Sequence, residues 1–191
     1  MKIAKHIFYL NFAFWLGVAA PGVWAGNWTV MKSESSIAFT GMQTGVSFSG
    51  TFDRFAADIS YDPAAPTGAY VRARIDLASA STGDLQRDTA LPEQDWFFVT
   101  SFPRAIFEAK GFKLLGENRY STTGTLTLRG VKKSFALPFD LEIDGNRATM
   151  DSTFTLNRAD HGVGSGPWAE GKWVGLDVVV TLHIVAERNV Q

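Results

Sequence analysis

The chain of 191 residues contains no cysteine, which excludes disulfide bonds, thiolate catalysis and cysteine-bound metal. Positive charge is not in excess either, since 18 lysines and arginines stand against 19 aspartates and glutamates. Because nucleic-acid binding needs a basic patch, we predict no nucleic-acid partner. The chain also lacks a phosphate loop, a dinucleotide fingerprint and a nucleophile elbow in a strand–turn–helix setting. We therefore predict a protein that is not an enzyme and has no catalytic cofactor.

The N-terminal segment has the features of a secretory signal peptide. Lys2 and Lys5 precede an apolar run at residues 7–20, and a small-x-small cleavage site follows. We predict that residues 1–25 are a cleaved signal peptide and that residues 26–191 form one domain. The apolar run is short for a transmembrane helix. Loss of the two lysines leaves 16 basic and 19 acidic residues, so the mature chain carries a net charge of about −3.

Most of the remaining chain alternates apolar and polar residues, which is the period of a β-strand. The stretch GTLTLRGVKKSFALPFDLEI at residues 124–143 predicts two strands joined by a short basic turn, which we expect to be solvated. About eight such segments predict an antiparallel sandwich or barrel, and eight antiparallel strands close naturally into a barrel. Two interpretations remain open, because the inward side chains either fill the interior or line a ligand cavity.

Residues 79–105 interrupt this alternation. We predict a short helical segment near residues 84–99, with Asp84 or Thr82 as its N-cap. Three consecutive aromatic residues, Trp96-Phe97-Phe98, cannot all face one side of a strand. We interpret them as an aromatic plug at one end of the sheet structure.

Other candidate sites are few, and each has a simpler structural interpretation. Asp160 and His161 are adjacent and suggest an isomerase- or hydrolase-like site as one hypothesis. A zinc site would require His161 to meet His183, which we expect to be an outward residue of the last strand, so we predict no metal site. Trp168 and Trp173, in a glycine-rich loop, suggest a second hypothesis. In it, a β-sandwich with a packed interior binds protein or sugar.

Several short segments, taken in their order and spacing, resemble the YceI family. They are spread over nearly the whole mature chain, and the predicted signal peptide agrees with the resemblance. They are Ser36-Ile37-Ala38-Phe39, Gly50-Thr51-Phe52, Tyr61-Asp62, Ile75-Asp76, Ser81-Thr82-Gly83, Arg87-Asp88, Asp95-Trp96-Phe97, Phe102-Pro103 with Phe107, Gly124-x-Leu126-x-Leu128-Arg129-Gly130-Val131-x-Lys133, and Asn157-Arg158-x-Asp160-x-Gly162.

The resemblance implies an all-β, eight-stranded antiparallel, lipocalin-like barrel with a short helical segment and an apolar tunnel. It further implies a bacterial periplasmic protein that binds a polyisoprenoid, an isoprenoid-quinone-like lipid or another long amphiphile for transport, storage or sequestration. A prenyl chain of tens of carbons would need a cavity at or above the usual ceiling of about 1,000 Å³. A soluble carrier of this kind also suggests transient membrane contact, and pairing through an edge strand suggests a homodimer.

Strand parity, combined with the resemblance, predicts the residues that line the ligand cavity. Trp96 and Phe97 are expected to close one end. His161 stands where the family usually has an aromatic or large apolar residue, so we expect it to polarise one end. The predicted ligand-binding residues are Ile37, Phe39, Phe48, Phe52, Ile75, Trp96, Phe97, Phe107, Leu126, Leu128, Phe154, His161, Val180 and Leu182.

Overall fold

A computed structural model describes residues 26–189. The signal peptide predicted at residues 1–25 lies outside the described residues and stays a prediction. Residues 26–189 form twelve strands and one α-helix, α1 (Leu85–Ala90). The strands are β1 (Gly26–Val30), β2 (Ser36–Gln43), β3 (Val46–Phe52), β4 (Phe55–Tyr61), β5 (Tyr70–Asp76), β6 (Ala80–Ser81), β7 (Arg104–Lys110), β8 (Lys113–Gly116), β9 (Arg119–Leu128), β10 (Val131–Asp144), β11 (Arg147–Asn157) and β12 (Asp177–Arg188).

These strands build one closed antiparallel barrel. Strand β12 pairs with β1 through its C-terminal part and with β2 through its N-terminal part. Strands β1 and β2 therefore lie end to end and together occupy one position in the ring of strands. In the same way, β3 and β4 occupy a second position, and β5 and β6 occupy a third. Strands β7, β9, β10, β11 and β12 supply the other five positions, and the β1–β12 pairing closes the ring. The predicted eight-stranded antiparallel barrel is confirmed.

Ser79 connects two places where the chain bends, one between β3 and β4 and the other between β5 and β6. The hydroxyl of Ser79 accepts a hydrogen bond from the Arg54 backbone N–H at 3.0 Å and donates to the Asp76 carbonyl at 2.7 Å. Arg54 lies between β3 and β4, and Asp76 ends β5, so two neighbouring strands bend at the same level.

One strand expected from the sequence is divided in two. The alternation predicts a strand over residues 106–115, but it ends at Lys110 and resumes at Lys113. Gly111 between them has φ +70°, a left-handed conformation that stops the ladder. Phe112 then turns into the core, and β8 pairs only with β9.

Two clusters of buried side chains close the two ends of the barrel. We call the first the floor; its buried members include Trp28, Tyr61, Phe112 and Phe139. The second contains residues of the segment 91–103, which we call the plug, packed on Leu77, Leu126 and Val163. Strand β9 contributes Tyr120 to the floor and Leu128 to the plug end, which puts about 26 Å of strand between the two ends.

The predicted short helix and its cap are present. Helix α1 begins after Asp84, whose carboxylate accepts hydrogen bonds from the backbone N–H groups of Gln86 and Arg87, both at 3.0 Å. Turns and bends follow the helix up to the start of β7. Among residues 26–189, no helix has the length and apolar character needed to cross a bilayer.

The basic turn between β9 and β10 is only partly solvated. Leu128 pairs with Val131, so Arg129 and Gly130 form a two-residue turn, with φ values of +50° and +76°. Positive φ at both positions is typical of a type I′ hairpin turn. Lys132 and Lys133 are exposed, as expected. The Arg129 guanidinium, however, donates to the carbonyls of Gln94 in the plug and of Gly162.

Candidate functional site: an apolar cavity inside the barrel

The barrel interior is hollow. A cavity of about 320 Å³ lies between the floor and the plug, and its surface is almost entirely apolar. This volume falls within the range of small-molecule sites, about 300–1,000 Å³, but near its lower end. The cavity is therefore smaller than we expected for a prenyl chain of tens of carbons. Aromatic side chains account for the difference, because many of them project inward from the wall.

All fourteen residues that the sequence indicated as ligand-binding lie in the cavity wall. Contact between these residues and a ligand stays a prediction. Sequence reasoning missed several others, including Trp28, Ile59, Tyr61, Phe112, Phe135, Phe139, Leu141 and Val163. Phe135, Phe139 and Leu141 follow the same alternation as their neighbours, so strand parity on β10 would have found them. Phe112 follows the unforeseen break at Gly111, and Val163 belongs to a loop, so parity contains no signal for either.

Phenylalanine rings form two contact series across the cavity wall. In both, the ring centroids lie between 5.2 and 5.8 Å apart, at distances typical of favourable aromatic pairs. One series joins Phe39, Phe52 and Phe97, and the other joins Phe107, Phe135 and Phe154. The first connects the barrel wall directly to the plug.

A buried arginine holds the loop that covers the plug end. Arg158 is only 5% exposed and follows β11 at the start of a segment, residues 158–176, that we call the closing loop. Its guanidinium donates five hydrogen bonds at 2.5–3.1 Å, all to backbone carbonyls of this loop. Nε donates to Gly175, Nη1 donates to Val163 and Gly164, and Nη2 donates to Trp168 and Val174.

The same arginine connects the closing loop to the plug. Its guanidinium carbon lies 5.5 Å from the centroid of the Trp96 ring, a cation–π contact. Burial lowers the pKa of Arg158, because desolvation penalises the charged form. The carbonyl dipoles around the guanidinium compensate for the lost hydration. The Asp95 carbonyl adds a second connection by accepting from the N–H groups of Gly164 and Ser165 at 2.8 and 2.7 Å.

His161 is 2% exposed and lies in the cavity wall at the plug end. Its Nδ1 lies 3.2 Å from the Val131 carbonyl oxygen. Since a carbonyl only accepts, Nδ1 donates in this contact. Asp160 is exposed, and among the described residues no hydrogen bond joins it to His161. The two residues therefore do not form a hydrogen-bonded acid–base pair.

The two histidines within residues 26–189 lie on opposite faces of the barrel, since His161 lines the cavity and His183 is at the surface. His183 faces outward on β12, as predicted, and its Nδ1 lies 2.7 Å from Asp151 Oδ1 at the surface. Within residues 26–189, no cluster of three or more histidine, aspartate or glutamate side chains is arranged to hold a metal ion.

The two tryptophans of the closing loop differ in their surroundings. Trp168 packs on Trp96 with ring centroids 5.7 Å apart, so it belongs to the cover of the plug end. Trp173 is 50% exposed, and the Lys172 ammonium lies 5.3 Å from its ring centroid. The hollow barrel shows that the packed-sandwich hypothesis is wrong about the interior.

Comparison with known proteins decides the family. The YceI-like domain model matches residues 28–186, which is nearly the whole described barrel. The chain belongs to the YceI family. Its YceI relatives include a UPF0312 protein of Pseudomonas putida (strain W619), which is 34% identical over 137 residues, or 69% of this chain and 71% of the relative. A UPF0312 protein of Pseudomonas savastanoi pv. phaseolicola is 30% identical over 159 residues, or 78% and 82% of the two chains.

Solved structures show the same fold. BcnA of Burkholderia cenocepacia superposes with a TM-score of 0.78 at 28% identity, covering 82% of this chain and 98% of BcnA. A polyisoprenoid binding domain from Saccharophagus degradans, implicated in plant cell wall breakdown, superposes with a TM-score of 0.71 at 18% identity. That match covers 87% of this chain and 99% of the domain. Arg129 and Arg158, from the segments that carried the YceI resemblance, each contact both the plug and the closing loop.

Proposed function

We propose that this YceI-family protein binds a polyisoprenoid, an isoprenoid-quinone-like lipid or a similar long amphiphile inside its barrel. The observation that carries the proposal is the cavity inside the barrel, whose surface is almost entirely apolar. Each methylene group that leaves water for such a cavity contributes about 0.8 kcal/mol. A prenyl chain gains enough from burial to exceed the cost of association. The structural likeness to a polyisoprenoid binding domain supports the same class of ligand.

The proposed role is transport, storage or sequestration rather than catalysis. In its support, His161 uses Nδ1 in a contact with the Val131 carbonyl, and Asp160 is exposed away from it. A ligand-binding role for His161 at the plug end is compatible with that contact. Replacing His161 by Ala would lower lipid affinity on this view, whereas an enzymatic role would require that a reaction be lost.

Location and assembly are further parts of the proposal. The predicted signal peptide supports export to the periplasm, which fractionation of the producing cells would test. Exposed apolar side chains near the plug end, at Met42, Val46, Leu85 and Trp173, support transient contact with a membrane.

Strand β8 is an edge strand with Leu114 and Leu115 both 53% exposed, which supports a homodimer. Light scattering of the purified protein would measure its mass.

Organic extraction of the purified mature protein, followed by mass spectrometry, tests the ligand. We expect a prenyl lipid in the extract, and its mass would also give the chain length that a cavity of this size admits. Delipidated protein should then take up an added prenyl alcohol. Protein that is consistently empty, and that takes up no added prenyl lipid, would contradict the proposed function.

A further inference from the structure

Three inward-facing glycines of the barrel wall each lie against a phenylalanine ring from a neighbouring strand. Phe39 of β2 lies over Gly50 of β3, and Phe48 of β3 lies over Gly41 of β2. Phe107 of β7 lies over Gly124 of β9. All three rings belong to the cavity wall. Glycine lacks a Cβ, so the ring occupies the space next to the backbone that a larger residue would fill.

The contacts at Gly124 are the most specific. A Cβ at this position would overlap the Cζ and Cε2 atoms of Phe107, and its three nearest neighbours would all be atoms of that ring. At Gly41 a Cβ would lie 2.9 Å from Phe48 Cζ, and again the nearest atoms are all in the ring. At Gly50 a Cβ would meet both the Phe39 ring and, at 2.7 Å, the Ser81 carbonyl oxygen.

Each ring occupies the space on the inward side of its glycine where a Cβ would stand. A new methyl group there would therefore push the ring away from the wall and toward the interior. There it would occupy part of a cavity of about 320 Å³, which is already small for a prenyl chain. We propose that Gly41, Gly50 and Gly124 determine ligand size, because they keep three phenylalanine rings against the wall and the cavity open. This inference rests on the proposed function, since it assumes that a lipid chain occupies the cavity.

The test uses Gly124→Ala, with geranylgeraniol and the straight-chain alcohol hexadecanol as probes, on delipidated full mature protein. We expect Gly124→Ala to lower the affinity for the methyl-branched geranylgeraniol by about tenfold or more, and the affinity for hexadecanol by less. Gly116→Ala is the matched control, because Gly116 also lies in a strand and a Cβ there meets nothing within 4 Å. It should bind both alcohols like the wild type.

A second substitution identifies the ring as the cause. Leucine has no Cζ or Cε atoms, so Phe107→Leu removes the atoms that the new Cβ would overlap. The variant Gly124→Ala with Phe107→Leu should bind geranylgeraniol within about threefold of Phe107→Leu alone. This comparison also holds if the single Gly124→Ala protein does not fold.

Each outcome has a distinct meaning. Wild-type protein that binds neither alcohol would contradict the proposed function. Wild-type protein that binds, together with a Gly124→Ala variant of equal affinity, would overturn the glycine inference alone. An equal loss in the Phe107→Leu background would overturn it as well, because the ring would then not be the cause.

Discussion

At the scale of single residues, Arg158 shows how a charge is accommodated beside an apolar cavity. Its planar guanidinium donates to carbonyls near both ends of the closing loop, at Val163 and at Val174 and Gly175. Within residues 26–189, no carboxylate is among its hydrogen-bond acceptors. A lysine has one ammonium group with three donors and cannot reproduce this fan of contacts. Arg158 therefore acts as a structural centre that fixes the closing loop over the plug.

We expect Arg158→Lys to lower the free energy of unfolding by roughly 2–4 kcal/mol, because it leaves buried carbonyls without a donor. Urea denaturation measures the change. Arg119→Lys is a suitable control, since the Arg119 side chain is 69% exposed and its contact with Asp140 is at the surface. The control should show a much smaller loss. Equal losses in the two variants would mean that the carbonyl contacts of Arg158 contribute little.

Tyr61 presents the opposite case in the floor. Its hydroxyl is buried, and within residues 26–189 it has no hydrogen-bond partner. Burial raises the pKa of this hydroxyl, and the neighbouring Tyr120 raises it further, although the two side chains do not reach hydrogen-bond geometry. The ring itself is well packed, with its centroid 5.2 Å from that of Phe112.

Tyr61→Phe should therefore leave the stability unchanged or raise it by up to about 1 kcal/mol, because it removes an unsatisfied polar group and keeps the ring. Thr122→Val provides the contrast, since the buried Thr122 hydroxyl donates to the Gly111 carbonyl at 2.8 Å. That variant should lose about 1 kcal/mol. A destabilised Tyr61→Phe protein, measured by the same urea titration, would show that the hydroxyl has a partner in solution.

At the scale of elements, the carboxylate of Asp88 is one of the groups that attach helix α1 to the barrel. Asp88 accepts hydrogen bonds from the Thr82 backbone N–H and from the Thr82 hydroxyl, both at 2.7 Å, and from the Ser81 hydroxyl at 3.2 Å. These bonds lower the pKa of Asp88, with the Thr82 hydroxyl as the largest cause. The segment that leads into the plug is thus held by contacts that favour the ionised carboxylate.

A carboxyl group whose pKa is lowered by folding stabilises the protein above its unfolded-state pKa, near 3.9 for aspartate. This stabilisation is lost as the pH falls through the lower folded-state value. Asp88→Asn should thus be less stable than the wild type at pH 7, and the difference should shrink below about pH 4. Denaturation curves across this range measure it. Thr82→Val should show the same pH-dependent loss, and the two losses should not add, since they remove one set of contacts.

At the scale of the whole molecule, the alternation of residues predicted an antiparallel sandwich or barrel, and the resemblance to the YceI family favoured the barrel. Alternate side chains of a strand point to opposite faces, and only one face of each barrel strand meets water. The apolar side chains of these strands therefore face inward, as Leu126, Leu128, Val180 and Leu182 do. The merging of short strands into bent ones was not predictable, since it depends on contacts such as Arg54 with Ser79 between distant segments. The structure of the closing loop was not predictable either, because Arg158 holds it through backbone carbonyls, which every residue type has. The cavity volume depends on ring orientations, which the order of residues does not specify.

A lipid inside the barrel should compete with any large side chain placed there. Ala73 of β5 lies in the cavity wall, between Ala57 on one neighbouring strand and Phe107 on the other. Ala73→Trp would direct an indole into the empty space, so we expect the extracted lipid to fall by about tenfold or more. The stability should change by less than about 2 kcal/mol, because the indole enters space that is already open.

The matched control for that experiment is Thr153→Trp, which places the same side chain on an exposed position of β11. It should retain the wild-type lipid content, measured by mass spectrometry of organic extracts against protein concentration. If Ala73→Trp folds and still contains as much lipid as the control, the lipid must bind outside the barrel, at the exposed apolar residues near the plug end. Loss of lipid in Ala73→Trp alone would locate it within the cavity, since only that variant changes the interior.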